Sequence, residues 1–327
     1  MATIRIVNLF PLSAADLAAI GALPSVALST FDDVAVPDAA ADLAAADALW
    51  GELPDGDLSR APRLRWMARA GAGVEDLDIA RLAEAGITVT NASGLHASSM
   101  GEYVLGAILF GFQQHAARLD LQRRREWDQA VAWANPIRGR TIAVLGYGSI
   151  GREVARLASA FGMRVLAVKL RPEQRTDDGF VPDGVGDPEG RIPERIVGLD
   201  GLRGVLAEAD AVAIALPLTS ATRGILGRDA IASMKPGAYI VNVGRGPMID
   251  ETALIAALRE GRLGGAYLDV FDEEPLPPDH PLRTAPNTVL TPHLGYVSTG
   301  TYAVFFRDAV DDVAAYLRGD PVRVLNG

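Results

Sequence analysis

The sequence predicts an α/β protein built from two parallel-sheet domains, one inserted into the other. Over the first hundred residues, short apolar runs alternate with Ala-rich helical segments, a pattern typical of a parallel sheet covered by helices. The alternation restarts at "TIAVLGYG", residues 141–148, and the chain ends in "PVRVLNG". With 327 residues, the chain is long enough for two hydrophobic cores.

Two long helical segments place the domain boundaries. Residues 98–124 carry apolar side chains at helical spacing, and we interpret them as one helix that links the domains. Residues 299–319 are interpreted as a second linking helix that returns the chain to the first domain. The prediction is therefore a first domain of residues 1–100 and 296–327, with a second domain of residues 101–295 inserted into it.

The elements of the first domain follow from local patterns. "IRIVNLF" and "ADALWG" predict strands, and "SAADLAAIGAL" predicts a helix that is capped by Ser13. The stretch "LRWMARAGAGVEDLDIARLAEAGITVTNAS" predicts a strand, a Gly turn, a helix and a strand.

Composition excludes several classes of protein. The net charge of −10 argues against binding to nucleic acid. The absence of cysteine excludes disulfides, thiolate metal sites and cysteine nucleophiles, and no set of residues has metal-ligand spacing. The sequence contains neither an apolar run of about 18 residues or more nor a recognisable signal or transit peptide at its start. We therefore expect a cytoplasmic protein without a nucleic-acid or membrane partner.

The motif "VLGYGSIG" predicts a turn that binds the pyrophosphate of a dinucleotide. Gly146 would allow the tight turn, Gly148 the approach of the pyrophosphate, and Gly151 the close packing of helix and strand. The following helix would present free N–H groups and its positive dipole end to the phosphates. The alternative is a Gly-rich turn in an α/β domain that binds no nucleotide. The cofactor-binding residues predicted in this turn are Gly146, Tyr147, Gly148, Ser149, Ile150 and Gly151.

Two basic residues stand where an NAD-binding domain usually carries an acid. Lys169 ends the next strand, "VLAVK", about 20 residues after the glycine motif, and Arg171 follows closely. A carboxylate at this position accepts hydrogen bonds from the ribose, whereas Lys169 and Arg171 can only donate and would attract a 2′-phosphate. This favours NADP(H), with NAD(H) as the alternative if both side chains face solvent.

The segment that follows, residues 171–201, is rich in Gly, Pro and Asp. Connections of this length are uncommon in compact domains. Three interpretations stay open: the segment covers the adenosine, packs against a partner subunit, or is mobile.

Polar residues follow several apolar strands in the second half of the chain. Arg245, Asp269, Glu274 and His293 lie in "VNVGRG", "LDVFDEEPLP" and "TPHLG". Because the carboxyl ends of parallel strands border the ligand crevice, we expect these side chains to converge. A cation and an imidazole at one site suit a reaction that develops negative charge on a carbonyl oxygen. Alone, Arg245 would be interpreted as a surface ion pair and His293 as a buried structural histidine.

With these motifs, together with "GEYVLGAIL" and "PLTSATRG", the sequence resembles the D-isomer-specific 2-hydroxyacid dehydrogenase family over nearly its whole length. The resemblance implies two Rossmann-like parallel-sheet domains, the cofactor domain being inserted into a flavodoxin-like substrate domain. It also implies that His293 is the acid/base, that Glu274 stabilises its protonated form, and that Arg245 binds the substrate carboxylate. Asp269 would help to position the nicotinamide end of the cofactor.

The resemblance extends to further contacts. In the first domain, backbone N–H groups of Ala72, Gly73 and Val74 would receive the substrate carboxylate; the alternative is an ordinary strand-to-helix turn. Tyr296 stands where the family commonly has a small residue and would narrow the substrate pocket. The cofactor-binding residues implied outside the glycine turn are Lys169, Arg171, Leu216, Pro217, Thr222, Val243, Gly244, Arg245, Asp269 and His293.

Together these observations predict a reductase of small 2-ketoacids that favours NADP(H) and forms a homodimer through its cofactor domain. The alternative is a nucleotide-sensing scaffold, because C-terminal-binding-protein corepressors share this fold and triad. Neither the side chain of the substrate nor the physiological direction follows from the sequence.

Overall fold

The structure is a computed structural model. It describes residues 3–10, 12–31, 37–51, 53, 56–69, 71–73, 77–130, 133–177, 179, 182–298 and 310–326. The chain divides into two compact units, which we call the outer unit (Met1–Leu95 with Ser298–Gly327) and the inserted unit (His96–Val297). Each contains its own parallel sheet, which confirms the predicted fold class.

The outer unit is a five-stranded parallel sheet in the order β2-β1-β3-β4-β5, the flavodoxin-like order. Its strands are β1 (Ile4–Asn8), β2 (Val26–Thr30), β3 (Ala48–Trp50), β4 (Trp66–Ala68) and β5 (Thr88–Thr90), and its helices are α1 (Ala14–Gly21), α2 (Pro37–Ala45) and α3 (Ile79–Glu84). Successive side chains of β1 enter different cores: Ile6 packs with Ile20 of α1, and Val7 packs with Leu43 of α2. Ser13 caps α1 by accepting a hydrogen bond from the N–H of Asp16, as predicted.

The C-terminal segment returns to the sheet of the outer unit. Residues 310–317 are helical, and beyond them the N–H of Leu325 donates to the carbonyl of Val89 (2.9 Å). The Asn326 Oδ1 accepts from the N–H of the same valine (2.9 Å). These bonds attach the end of the described chain to β5. Residues 299–309 of the predicted second linking helix lie outside the described residues.

The inserted unit is a seven-stranded parallel sheet in the order β12-β11-β10-β9-β6-β7-β8. Its strands are β6 (Thr141–Leu145), β7 (Arg164–Val168), β8 (Arg195–Val197), β9 (Ala211–Ile214), β10 (Tyr239–Asn242), β11 (Gly265–Leu268) and β12 (Thr288–Leu290). Its helices are α4 (Ala97–Phe112), α5 (His115–Arg124), α6 (Ser149–Ala160), α7 (Leu202–Glu208), α8 (Arg228–Ser233) and α9 (Glu251–Arg259). The strand order reverses between β6 and β9, and such a switch point opens a ligand crevice at the carboxyl ends of the strands.

Helices cover both faces of this sheet. All five residues of β6 are buried, and they alternate between two cores. Ile142 and Val144 pack in the core that contains α4 and α6, whereas Ala143 and Leu145 pack in the core that contains α7, α8 and α9. This burial on both faces explains why "TIAVL" is a continuous apolar run instead of an alternating one.

The prediction of one helix over residues 98–124 was wrong. The structure has two helices, because Gln114 adopts a left-handed backbone conformation (φ 56°) between α4 and α5. Its side-chain amide donates to the carbonyl of Gly111 and to the hydroxyl of Tyr239, both at 3.1 Å. These bonds stabilise a conformation that apolar spacing alone does not reveal. Within the described part of the chain, none of the helices has the length and apolarity needed to cross a membrane.

Candidate active site

The glycine motif forms the turn between β6 and α6, and two of its glycines are required by packing. Gly146 has a φ of +100°, and a Cβ there would lie 2.6 Å from the backbone of Ala215. A Cβ on Gly151 would lie 1.9 Å from the carbonyl oxygen of Gly146. Both contacts are far shorter than van der Waals distance, so the turn can close in this way only without side chains at these positions.

Gly148 is different, because a Cβ there would meet no heavy atom within 4 Å. Its φ of −94° is open to any residue. The missing side chain therefore leaves open space in front of Ser149 and Ile150, the first residues of α6, where N–H groups without helical partners accumulate. Open space in front of a helix N-terminus, which we call the cradle, can accept an anion such as a pyrophosphate.

The side chain of Tyr147 points away from this space. It is 1% exposed, and its hydroxyl donates to the Oδ2 of Asp187 at 2.6 Å. Burial and this carboxylate raise the pKa of the Tyr147 phenol. In a cofactor site, Tyr147 would thus contribute its backbone, while its side chain holds the 171–201 segment.

Lys169 follows β7, and its ammonium is engaged within the protein. The Nζ donates to the carbonyl of Gln174 at 2.6 Å, and burial, followed by the charge of Arg152, lowers the pKa of the Lys169 ammonium. Arg171 is exposed. The two basic side chains therefore have different surroundings at the end of this strand.

His293 and Glu274 form a direct pair. The Nδ1 of His293 lies 2.9 Å from the Oε2 of Glu274, and the second carboxylate oxygen accepts the N–H of Phe271 at 2.9 Å. Both side chains are partly exposed, His293 by 41% and Glu274 by 37%. Because Nδ1 faces the carboxylate, Nε2 is the ring nitrogen that can exchange a proton with a substrate.

Asp269 anchors the loop that carries His293. Its carboxylate is 1% exposed and accepts the N–H groups of Leu294 and Gly295, both at 2.8 Å. It also accepts the hydroxyl of Thr291 at 2.6 Å. His293 itself has a φ of +55°, an uncommon conformation for a residue with a side chain. The anchoring bonds on both sides of His293 keep it in this conformation.

Arg245 lies in a turn that a buried asparagine fixes. The Nδ2 of Asn242 donates to the carbonyl of Arg245 at 3.0 Å, and its Oδ1 accepts the N–H of Gly244 at 3.0 Å. Arg245 is partly buried and donates from Nη1 to the carbonyl of Gly244 (2.8 Å). Val243 and Gly244 belong to the same turn and are buried.

The sheet explains how these residues come to one edge. β10, β11 and β12 are adjacent and parallel, and Arg245, Asp269 and His293 each follow the carboxyl end of one of them. The sequence predicted these strand ends, but it did not reveal the roles of Asn242 and Thr291. The side chains of these two residues orient the loops that follow β10 and β12. Both are polar residues at the end of an apolar strand, and this is the signal that could have found them.

Other residues predicted to bind the cofactor have partners within the protein. Thr222 is buried, and its hydroxyl donates to the carbonyl of Pro217 at 2.7 Å and accepts the N–H of Thr219 at 2.8 Å. Leu216 is buried, and its N–H group lies directly against Gly146. These residues shape the turn after β9, next to the glycine turn.

One aromatic ring, that of Tyr296, contacts both His293 and His96. The ring of Tyr296 lies edge-on to His293 at 6.1 Å and to His96 at 5.4 Å between centroids. Burial lowers the pKa of His96. A cavity of about 620 Å³ borders the His293–Glu274 pair; the lining residues within the described chain are Phe271, Glu274, Pro275, Leu276, Arg283, Leu290, Thr291, Pro292 and His293.

The predicted substrate turn belongs to the outer unit. The Nδ2 of Asn91 donates to the carbonyl of Ala72 at 2.8 Å, and the N–H of Ala92 donates to the carbonyl of Gly71 at 3.2 Å. Gly73 follows in the same turn, whereas Val74 lies outside the described residues. A role for this turn in binding a carboxylate stays a prediction.

Comparison with known proteins agrees with this architecture. Residues 105–295 match the family model described as D-isomer specific 2-hydroxyacid dehydrogenase, NAD binding domain. The chain is 34% identical to a glyoxylate reductase of Aeropyrum pernix over 84% of its own length and 81% of that protein. It is also 34% identical to a D-3-phosphoglycerate dehydrogenase of Methanocaldococcus jannaschii over 80% of its length, but it spans about half (47%) of that longer protein.

A solved structure shows the same fold. The D-isomer specific 2-hydroxyacid dehydrogenase of Xanthobacter autotrophicus Py2, determined in complex with NADPH and MES, superposes with a TM-score of 0.79 at 27% identity. The match covers 99% of this chain and 98% of that one. The chain therefore belongs to the D-isomer-specific 2-hydroxyacid dehydrogenase family, whose model for this region is an NAD-binding domain.

Two glycine substitutions separate folding from cofactor binding. Gly151→Ala places a Cβ against a backbone oxygen, and we expect it to destabilise the protein by about 1–3 kcal/mol, as overpacking does. Gly148→Ala meets no protein atom and should change stability by less than about 0.5 kcal/mol, yet it fills the cradle and should weaken NADPH binding. Thermal unfolding and isothermal titration calorimetry measure the two effects. Unchanged NADPH affinity in folded Gly148→Ala would place the pyrophosphate elsewhere.

Asp269→Asn tests the anchoring of His293. The amide nitrogen that replaces one oxygen faces an N–H donor, and an unsatisfied buried group costs about 1–3 kcal/mol. We expect a lower melting temperature and a reduced kcat, with NADPH affinity nearly unchanged. The exposed Asp272→Asn is the matched control. If Asp269→Asn instead weakens NADPH binding and leaves stability intact, Asp269 acts on the cofactor and not on the loop.

Proposed function

We propose that this protein is a reductase of small 2-ketoacids that yields D-2-hydroxyacids and favours NADP(H), with NAD(H) as the alternative cofactor. The observation that carries this proposal is the His293–Glu274 pair, in which Nδ1 and Oε2 are 2.9 Å apart. This pair lies at the edge of a sheet whose glycine turn has an open cradle in front of a helix N-terminus.

Each residue has one task in the proposed reaction. The bound nicotinamide supplies a hydride for the ketone carbon. The Nε2 of His293 donates a proton to the ketone oxygen, and the Glu274 carboxylate stabilises the imidazolium that donates it. The guanidinium of Arg245 binds the substrate carboxylate and offsets the negative charge that develops on the oxygen. In the reverse direction His293 accepts the proton.

The cofactor preference rests on the basic residues at the end of β7. A charge-assisted hydrogen bond contributes about 1.5–3 kcal/mol net, which corresponds to a preference of about 10- to 150-fold for the phosphorylated cofactor. The NADPH bound by the Xanthobacter relative supports this choice, and the glyoxylate reductase from Aeropyrum supports a small 2-ketoacid as substrate. This chain spans about half of the phosphoglycerate dehydrogenase, so the shared family does not assign phosphoglycerate to it as a substrate.

Turnover with Lys169 changed to Asp tests this proposal. Oxidation of NADPH and NADH is measured side by side with glyoxylate, hydroxypyruvate and phenylpyruvate. We expect wild type to prefer NADPH and Lys169→Asp to lose that preference, because a carboxylate repels the 2′-phosphate. His293→Asn should abolish turnover with either cofactor while NADPH still binds.

Other outcomes contradict specific parts of the proposal. A wild-type preference for NADH would overturn the cofactor assignment and leave the acid/base pair in place. Absence of turnover with every ketoacid, together with tight nucleotide binding, would favour the nucleotide-sensing scaffold.

We propose that the chain forms a homodimer through its inserted unit. Trp127 and Trp133 follow α5 and are 93% and 77% exposed, which is unusual for tryptophan in a monomer. We expect a homodimer in sedimentation velocity experiments, and Trp127→Ser with Trp133→Ser should weaken it. The exposed Phe161→Ser serves as control. A monomeric wild type at micromolar concentration would contradict the assignment.

A further inference from the structure

A buried arginine connects α6 to the segment that follows β7. The side chain of Arg152 is 1% exposed. Its Nε donates to the Oδ2 of Asp177 (3.0 Å), its Nη2 to the carbonyl of Arg175 (2.7 Å), and its Nη1 to the carbonyl of Asp187. The guanidinium also lies over the ring of Tyr147, 4.7 Å from its centroid. The Arg152 guanidinium thus binds three residues of the segment that follows β7: Arg175, Asp177 and Asp187.

Neighbouring groups complete the attachment of this segment. Asp187 accepts the Tyr147 hydroxyl and the N–H groups of Arg191 and Ile192, at 2.6, 3.0 and 2.9 Å. Burial alone would raise the pKa of the Asp187 carboxyl, but these hydrogen bonds hold it below its ordinary value. The N–H of Gly186 donates to Glu153, the residue after Arg152, at 2.7 Å. These bonds attach the segment to Tyr147 in the glycine turn and to Arg152 and Glu153 of α6.

The part of the segment that Arg152 binds also contacts Lys169. The carbonyl that receives the Lys169 ammonium belongs to Gln174, and the next carbonyl, that of Arg175, is held by Arg152. Arg152 is close enough to contribute to the lowered pKa of Lys169, while the charges of Asp177 and Glu173 act in the opposite direction. We therefore expect the position of the Lys169 side chain to depend on Arg152, which is buried.

We propose that Arg152 is a positioning residue for cofactor selection: by fixing the carbonyl of Arg175, it positions the adjacent carbonyl of Gln174, which holds the Lys169 ammonium at the end of β7. Arg152 does not contact the cofactor, because its side chain has almost no access to solvent. The inference rests on the proposed preference for NADP(H) and adds the residue that enforces it. A merely structural Arg152 would influence the binding of all adenosine nucleotides alike, whereas a positioning Arg152 acts on the 2′-phosphate.

The experiment compares two adenosine nucleotides that differ by this phosphate. Dissociation constants of 2′,5′-ADP and 5′-AMP are measured by isothermal titration calorimetry on the full-length protein. We expect wild type to bind 2′,5′-ADP at least about tenfold more tightly, as one charge-assisted hydrogen bond implies. Arg152→Gln should bring the ratio to within about threefold of unity, since it removes donors to the turn. Arg203→Gln, which alters an exposed ion pair with Asp229, should keep the wild-type ratio.

Further variants keep the test decisive if Arg152→Gln does not fold. Arg152→Lys retains the charge but loses the planar fork that reaches three partners, and Asp177→Asn removes one of those partners; both should lower the ratio. Any folded variant at Arg152 that keeps the wild-type ratio overturns the inference. In the Lys169→Gln background, Arg152→Gln should change the ratio no further, because both residues act through one ammonium.

The failure of this inference is distinguishable from the failure of the proposed cofactor preference. Equal affinities of wild type for the two nucleotides overturn both. A wild-type preference that Lys169→Gln abolishes and Arg152→Gln leaves intact overturns the inference alone.

Discussion

Buried charges determine how loops of the inserted unit fold, and two of these charges, Asp269 and Arg152, hold the loops that follow β12 and β7. Asp269 and Arg152 are each 1% exposed. A buried charge is tolerated only if hydrogen bonds replace its hydration. Asp269 meets this requirement with the N–H groups and hydroxyl of the His293 loop, and Arg152 meets it with the carbonyls and carboxylate of the segment after β7. In both cases the need to satisfy a buried charge fixes the backbone of a loop.

The sheet provides the frame for these loops. Parallel strands end at one edge, so β10, β11 and β12 bring Arg245, Asp269 and His293 to the same side although these residues are far apart in the sequence. The glycine turn adds the anion cradle at the reversal of strand order. Packing requires two of its glycines, whereas the third leaves open space in front of α6.

Sequence patterns predicted the parts of this protein that depend on neighbouring residues. Alternating apolar runs predicted the two sheets, and the serine cap of α1 and the glycine turn were located to the residue. Gln114 was missed because its left-handed conformation depends on Tyr239, which is far away in sequence. In the segment at residues 171–201, no periodic pattern pointed to the contacts of Arg175, Asp177 and Asp187, because their partners Arg152 and Tyr147 lie outside the segment. Its signal was present in α6, where two charged residues precede the core residues Val154 and Ala155.

By itself, the sequence determined the fold class, the family and the candidate acid/base residues, because strand and helix periodicity and short motifs are encoded locally. The tertiary structure decided which groups within the protein those residues contact. Only the structure showed that the Tyr147 hydroxyl donates to Asp187 and that the Lys169 ammonium donates to the carbonyl of Gln174. It also showed that the Asp269 carboxylate accepts a hydrogen bond from the His293 loop. The physical reason is that a hydrogen bond depends on where two groups meet in space, and for side chains separated by several elements that position is set by the packed sheet.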